Sequence, residues 1–268
     1  MTSRPPVTYV GAAIPPETTW AVDRNGASAQ WHIATETPVA FVYNGRNYAV
    51  MLATPHDLED FAVGFSMSER VINSLSQIDD LTIHQSQRGV ELRFRIAQEC
   101  VERLDVRQTR RNLVGQAGCG ICGLDNADVL FEVLPKVRAE PVSISNAVLG
   151  RAVSALRQHQ PLNQSTHSVH GAAWANSDGD IVMAREDVGR HNALDKLVGA
   201  MAGASMAATS GFVVMSSRCS YEIVEKAARL GTPAVVTLSA PTSFAISKAR
   251  ECNLSLYCRD GDDFVRVT

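Results

Sequence analysis

The sequence has no excess of positive charge and few aromatic rings. Lys and Arg number 25 against 28 Asp and Glu, for a formal net charge of -3. The broad basic field that nucleic-acid binding needs is therefore missing. Aromatics make up 6% and are not interleaved with Lys or Arg, which removes a stacking platform for single strands. No apolar run of signal-peptide length follows the first residues. The longest uncharged apolar-rich stretch, Leu197 to Val214, is broken at Gly199, Gly203 and Gly211, so it reads as helix end, loop and strand rather than a membrane span. These absences predict a cytoplasmic protein with neither a nucleic-acid nor a membrane partner. Six cysteines without an export signal argue against a disulfide framework. No second Cys-x-x-Cys accompanies the one at Cys119–Cys122, so a four-ligand zinc site is not evident.

What is present is ordinary globular composition, 45% hydrophobic and 20% charged over 268 residues, enough for one large or two modest cores. Residues 1–17, with four prolines, read as an extended lead-in. Residues 18–110 read as a small α+β domain. Within it, Val39–Tyr43 and Tyr48–Leu52 flank Asn44-Gly45, a hairpin signal. Thr54-Pro55 is expected to start a helix whose Leu58, Phe61, Ala62 and Phe65 form a buried stripe. Residues 111–126 form a glycine-rich loop around the two cysteines, and residues 127–268 alternate strands and helices, predicting a sheet covered on both faces.

The cysteine pair is the sharpest local signal. Two thiols at this spacing share a metal, form a disulfide or pass sulfur between them, and the thiolate is the reactive form. Zinc binding and dithiol redox chemistry both stay open at this point. A thioredoxin reading is weakened by the surrounding glycines and the late position, and a zinc deaminase reading fails because His170-Gly-Ala lacks the glutamate and follows the cysteines. The polar segment Arg185–Lys196 places Arg190 and His191 near a helix N-terminus able to attract phosphate, with a turn capped by Asp187 as the plainer account. Ser216–Ser220, His167 and His170 invite the same two interpretations.

Taken together, these residues resemble the FdhD family of formate dehydrogenase accessory sulfurtransferases. The likeness rests on Gly118-Cys-Gly-Ile-Cys-Gly123, Thr166-His-Ser-Val-His-Gly-Ala-Ala173 and Arg185-Glu-Asp-Val-Gly-Arg-His-Asn-Ala-Leu-Asp-Lys196. It continues through Ser220-Tyr-Glu-Ile-Val-Glu-Lys-Ala227 and Ser239-Ala-Pro-Thr-Ser243, and is looser before the cysteine loop. The resemblance implies a cytidine-deaminase-like three-layer α/β domain behind the smaller α+β one, and a homodimer. It implies a carrier that accepts persulfide sulfur from a cysteine desulfurase on Cys119, with Cys122 helping its release. The acceptor is molybdenum bis(molybdopterin guanine dinucleotide), bound transiently as substrate, and the client is formate dehydrogenase. Tyr257, Cys258, Arg259, Asp260, Gly261 and Asp262 match the stretch that touches the guanine dinucleotide; Arg259 offers a planar fork to a phosphate, whereas the Asp262 carboxylate opposes one. Arg190 and His191 are expected in the same pocket. No metal ligands are expected, and a dithiol redox or zinc-binding interaction protein on a deaminase-like scaffold is the alternative function.

Overall fold

The computed structural model describes residues 4–111, 133–137 and 142–268. Cys119 and Cys122, and the loop that carries them, lie outside the described residues.

The N-terminal part is built on a five-stranded sheet in the order β1-β6-β7-β4-β5. Its strands are β1 (Val7–Val10), β4 (Thr37–Tyr43), β5 (Arg46–Ala53), β6 (Ile78–Ser86) and β7 (Gly89–Ile96). Val7–Val10, within the expected lead-in, is extended and pairs parallel to β6. Asn44 and Gly45 join β4 to β5 with φ of 48° and 79°, the positive values a tight hairpin turn demands. Two further strands, β2 (Glu17–Arg24) and β3 (Ala27–Ala34), form a separate antiparallel ribbon.

Helix α1 (Leu58–Ser68) covers one face of the five-stranded sheet with the stripe its periodicity predicts: Leu58, Phe61, Ala62 and Phe65 are buried, and Phe65 stacks on Phe41 at 3.9 Å between ring centroids. The helix starts three residues later than Thr54-Pro55 suggests. Its N-cap is Asp57, in the left-handed region at φ 52°, because Thr54 is spent elsewhere. The Thr54 amide donates to Asp187 Oδ2 at 3.0 Å, its hydroxyl accepts from the Val188 amide, and its carbonyl accepts from Lys196 Nζ. Helix α2 (Gln98–Arg111) adds Cys100, Val101 and Leu104 to the same core.

The C-terminal part is a six-stranded mixed sheet in the order β13-β12-β11-β10-β8-β9. The strands are β8 (His170–Asn176), β9 (Ile181–Asp187), β10 (Gly211–Arg218), β11 (Ala234–Ser239), β12 (Ser255–Asp260) and β13 (Asp263–Arg266). Alternation along β10 sends Val213 and Met215 to one face and Phe212 and Val214 to the other. The first face packs against α5 (Arg190–Gly203), α6 (Tyr221–Leu230) and α7 (Ser243–Glu251); the second packs against α3 (Asn146–Leu156). A short helix, α4 (Pro161–Thr166), precedes β8. Ser145 caps α3, Thr242 caps α7 and Gly231, at φ 79°, ends α6, as their residue types imply.

The two parts meet through α1 and α5, which cross at a pair of glycines. A Cβ on Gly199 would lie 1.9 Å from the Asp60 carbonyl oxygen, and one on Gly64 would lie 1.7 Å from that of Asp195. The same seam holds a buried ion pair: Lys196 Nζ and Asp187 Oδ2 are 2.7 Å apart, and both side chains are fully inaccessible.

Candidate functional site

Strands β10, β11 and β12 are parallel, and β8 runs against them. One edge of the sheet therefore gathers the carboxyl ends of three strands, the start of β8 at His170 and the end of β9 at Asp187. Helices α5, α6 and α7 begin from that edge, so their N-termini and positive dipole ends face it. Carboxyl ends of strands facing helix N-termini are where open α/β sheets bind ligands.

The polar segment 185–196 divides sharply. Arg185 bonds Asp60 through Nε at 2.8 Å and through its terminal nitrogen at 2.7 Å. Glu186 accepts from the amides of Leu162 and Asn163 at 2.9 and 2.8 Å, holding the start of α4. Burial pushes the Glu186 carboxyl above its ordinary pKa, against the pull of those two amides. Asp187 Oδ1 accepts from the Gly189 amide at 2.8 Å and from Asn192 Nδ2 at 2.9 Å, bracing the turn into α5 from full burial; the N-cap itself is Gly189, without a side-chain cap, so Asp187 is not the solvated cap the sequence suggests. Lys196 donates to two backbone carbonyls besides its carboxylate partner. These side chains are consumed by the fold.

Arg190 and His191 are not. Arg190 Nε is buried without a partner. His191 Nε2 lies 2.8 Å from Glu222 Oε2, in the first turn of α6, and 3.3 Å from Ser220 Oγ. Burial opposes the charge of Glu222, but His191 and Ser220 override it and leave the carboxyl below its usual pKa. Ser220 stands at the N-cap position of α6 yet makes no capping bond; its hydroxyl donates to Glu222 at 3.1 Å instead. Next to them His170 is held below the ordinary histidine pKa, first by burial and then by Arg190 and His191.

His170 also lines a cavity of about 370 Å³ with Arg157, Gln160, His167, Ser216 and Leu238. Gln160 is buried, and its Nε2 has no partner. The Arg157 guanidinium and the unpaired Gln160 amide nitrogen line this cavity and suit an acceptor-rich ligand.

The C-terminal hairpin occupies the same edge further along. Its first two residues belong to the fold: the Tyr257 hydroxyl donates to the Val142 carbonyl at 2.7 Å and accepts from the Ile144 amide, and Cys258 is buried. Arg259, Asp260, Gly261 and Asp262 are exposed at the tip. Arg259 Nε donates to the Gly261 carbonyl at 2.8 Å and its guanidinium is 3.8 Å from Asp262. Three strand spacings, about 14 Å, separate β12 from β8 and its His170. Ser220 closes the Ser216–Ser220 segment that the sequence offers as a phosphate contact or a helix cap, whereas Glu222 and Gln160 are not marked as site residues by the sequence. The Ser-Tyr-Glu run after a buried strand is the available signal for Glu222; nothing marks Gln160.

The fold and this edge define a mixed α/β protein with an anion-attracting sheet edge. The sequence profile described as the FdhD/NarQ family matches residues 34–265, and the chain belongs to that family. A protein of Xanthomonas euvesicatoria named sulfur carrier protein FdhD is 45% identical over 243 residues, covering 89% of this chain and 85% of its own. One of the same name from Chromobacterium violaceum is 46% identical over 232 residues, covering 85% of each chain. Among solved structures, a candidate formate dehydrogenase accessory protein of Desulfotalea psychrophila superposes with a TM-score of 0.71. It covers 95% of this chain and 97% of its own at 23% identity, so the likeness is one of fold.

Proposed function

We propose that the protein is a sulfur carrier for formate dehydrogenase maturation. In this reading Cys119 accepts persulfide sulfur from a cysteine desulfurase, and the acceptor is molybdenum bis(molybdopterin guanine dinucleotide), held as substrate before its insertion into the client enzyme. The observation that carries it is family membership, with relatives at 45% identity over 89% of the chain that are named sulfur carriers. The remaining cysteines support it by elimination. Cys100, Cys219, Cys252 and Cys258 are all buried. Burial pushes the Cys219 thiol up to about 12 and raises those of Cys252 and Cys258, whereas a carrier needs an accessible thiolate. Reactive sulfur chemistry thus falls to the Cys119–Cys122 pair, with Cys122 aiding release.

The sheet edge fits the substrate's charge. Arg190 and His191 at the start of α5 and Arg259 at the end of β12 place cationic side chains at two points along the same sheet edge. A cytidine-deaminase-like scaffold for the C-terminal domain belongs to the same proposal; helices on both faces of its mixed sheet are consistent with it. A homodimer in the cytoplasm completes it. Trp20 and Trp31, directly paired across the β2–β3 ribbon, are 61% and 49% exposed and give such a dimer an apolar surface to cover.

Intact-protein mass spectrometry after incubation with a cysteine desulfurase and cysteine tests the carrier role. A reductant-sensitive gain of one sulfur in the wild type, absent in Cys119→Ala, is expected. No gain with an active desulfurase would turn the reading toward a dithiol redox or zinc-binding protein.

A further inference from the structure

The cavity beside His170 contains a polar group that the fold leaves unused. Gln160 lies between the short helical turn Arg157–His159 and α4, and is 4% exposed. Its backbone is fixed on both sides: its amide donates to the Arg157 carbonyl, and its carbonyl accepts from the Gln164 amide. The side-chain Nε2 is buried and has no partner among the described residues. A buried donor is costly to leave unsatisfied, and a fold that keeps one needs a reason.

Gly171, at the start of β8, makes space for it. A Cβ there would lie 2.5 Å from Gln160 Nε2, so a side chain at this position would push the amide away. The Gly171 amide in turn donates to Ser216 Oγ at 2.8 Å. Ser216 is therefore an acceptor towards the backbone, and its own hydroxyl proton has no acceptor among the described residues. Two donors, one N–H and one O–H, are gathered around a single glycine.

The rest of the cavity decides what those donors suit. Leu156 and Val169 are buried in its floor, and Val153 and Leu238 are half-buried in its walls. His170, held below the ordinary histidine pKa first by burial and then by Arg190 and His191, adds a ring to the wall. Arg157 and His167 are exposed at the mouth. A water satisfies one donor but sits against apolar side chains on its other sides. A free phosphate gains the guanidinium at the mouth but loses its hydration against Leu156 and Val169. A flat ring meets both demands, with its faces on the apolar walls and its edge on the donors. The cavity, about 370 Å³, is large enough for one.

Two donors side by side call for two acceptors side by side, a carbonyl oxygen next to a bare ring nitrogen. Guanine has that edge in O6 and N7, and an oxidised pterin has it in O4 and N5. Adenine presents an amine beside N7, which sets donor against donor.

We propose that this cavity takes an oxo-substituted heterocycle edge-on, with Gln160 Nε2 and the Ser216 hydroxyl donating to its carbonyl oxygen and neighbouring ring nitrogen. Gln160 sets the preference for oxo over amino rings. Arg157 meets a phosphate or carboxylate attached to the ring, outside the apolar part. The proposal rests on the reading of the substrate as a pterin–guanine dinucleotide, whose two rings both carry a carbonyl oxygen beside a ring nitrogen. It separates ring recognition, in this cavity, from phosphate contacts elsewhere along the sheet edge.

Calorimetric titration of the full chain with guanosine monophosphate, adenosine monophosphate and pterin-6-carboxylate tests it. The guanosine nucleotide is expected to bind about tenfold more tightly than the adenosine one. Gln160→Met keeps the side chain's length but not its donor, and should bring the two within about twofold of each other. Arg157→Ala should weaken both by the same factor. Tighter binding of the pterin assigns the cavity to that ring, and tighter binding of the guanosine nucleotide assigns it to guanine; both orders support the proposal. Equal affinity for the two nucleotides in the wild type, a preference that survives in Gln160→Met, a preference altered in Arg157→Ala, or no binding of any probe each overturns it. If Gln160→Met does not fold, Gly171→Ala decides. Its methyl displaces the amide, so the preference should shrink there too, and an unchanged one sinks the proposal. These readouts are ratios, which a general loss of stability does not move. Failure of Cys119 to load sulfur, with the preference intact, would bring down the sulfur-carrier reading alone; loading without the preference would bring down only this inference.

Discussion

Within one twelve-residue segment, Asp187, Asn192 and Lys196 contrast with Arg190 and His191. All five are polar, and from sequence they look alike. The first three are buried and satisfied: Asp187 alone accepts from Thr54, Gly189 and Asn192 and pairs with Lys196. The other two are half-buried in the first turn of α5, one with an orphaned nitrogen and the other with an unpartnered one. Hydrogen-bond saturation, more than polarity or burial, separates a side chain that holds the fold from one free to hold a ligand. Asn192 and Lys196 are four residues apart, so one stripe of α5 serves the seam with β5 and α1.

The comparison breaks if the saturated set proves dispensable. Lys196→Met strands the buried Asp187 carboxylate and is expected to cost about 3–5 kcal/mol in denaturant unfolding, whereas Arg190→Ala should cost less than about 1 kcal/mol. Similar losses in the two variants would refute the division. Gly199→Ala comes next, at about 3 kcal/mol, the upper end for overpacking, because its Cβ meets backbone on α1 that cannot rotate away. A thermal midpoint unchanged in Gly199→Ala would mean that α1 and α5 separate easily.

Much of the C-terminal sheet was legible. Tyr221–Leu230 with its Gly231 stop, Ser145 as a cap, a helix beginning at about Thr242, and the Asn44-Gly45 hairpin follow from local chemistry that needs no distant partner. Thr54 shows where that logic fails. Its residue type suits an N-cap, but three of its groups are claimed by the segment around Asp187, more than 130 positions away. The β2–β3 ribbon was missed for a related reason: its partner strands pair only with each other, and their apolar residues remain exposed, so no buried pattern marks them. At the site, Arg190 and His191 could be named from their place at a helix start, but Glu222 could not, since its role arises only when α6 is laid beside α5.

Smaller effects sharpen the same contrast. Glu222 is held below its ordinary pKa, so its stabilisation is complete above the unfolded-state value and is lost as pH falls through the folded one. Glu222→Gln should therefore lower stability relative to wild type at pH 7, by an amount that shrinks as pH falls through the folded-state value, measured as the difference in unfolding free energy from wild type. A constant difference across that range would mean that the carboxylate's charge does not contribute.

The smallest stability effect is expected at Arg259, and its smallness is the informative part. Its guanidinium folds back on its own turn, bonding the Gly261 carbonyl and facing Asp262, and it is exposed at the hairpin tip. Such a contact contributes little, so Arg259→Ala should stay within about 0.5 kcal/mol of wild type in unfolding. If the tip contacts a phosphate, the same variant should weaken guanosine diphosphate binding several-fold, and Asp262→Asn should strengthen it by removing the carboxylate that competes for the guanidinium. Unchanged binding in both would confine the anion site to the α5–α6 end of the sheet edge and leave the hairpin with a purely structural part, carried by Tyr257.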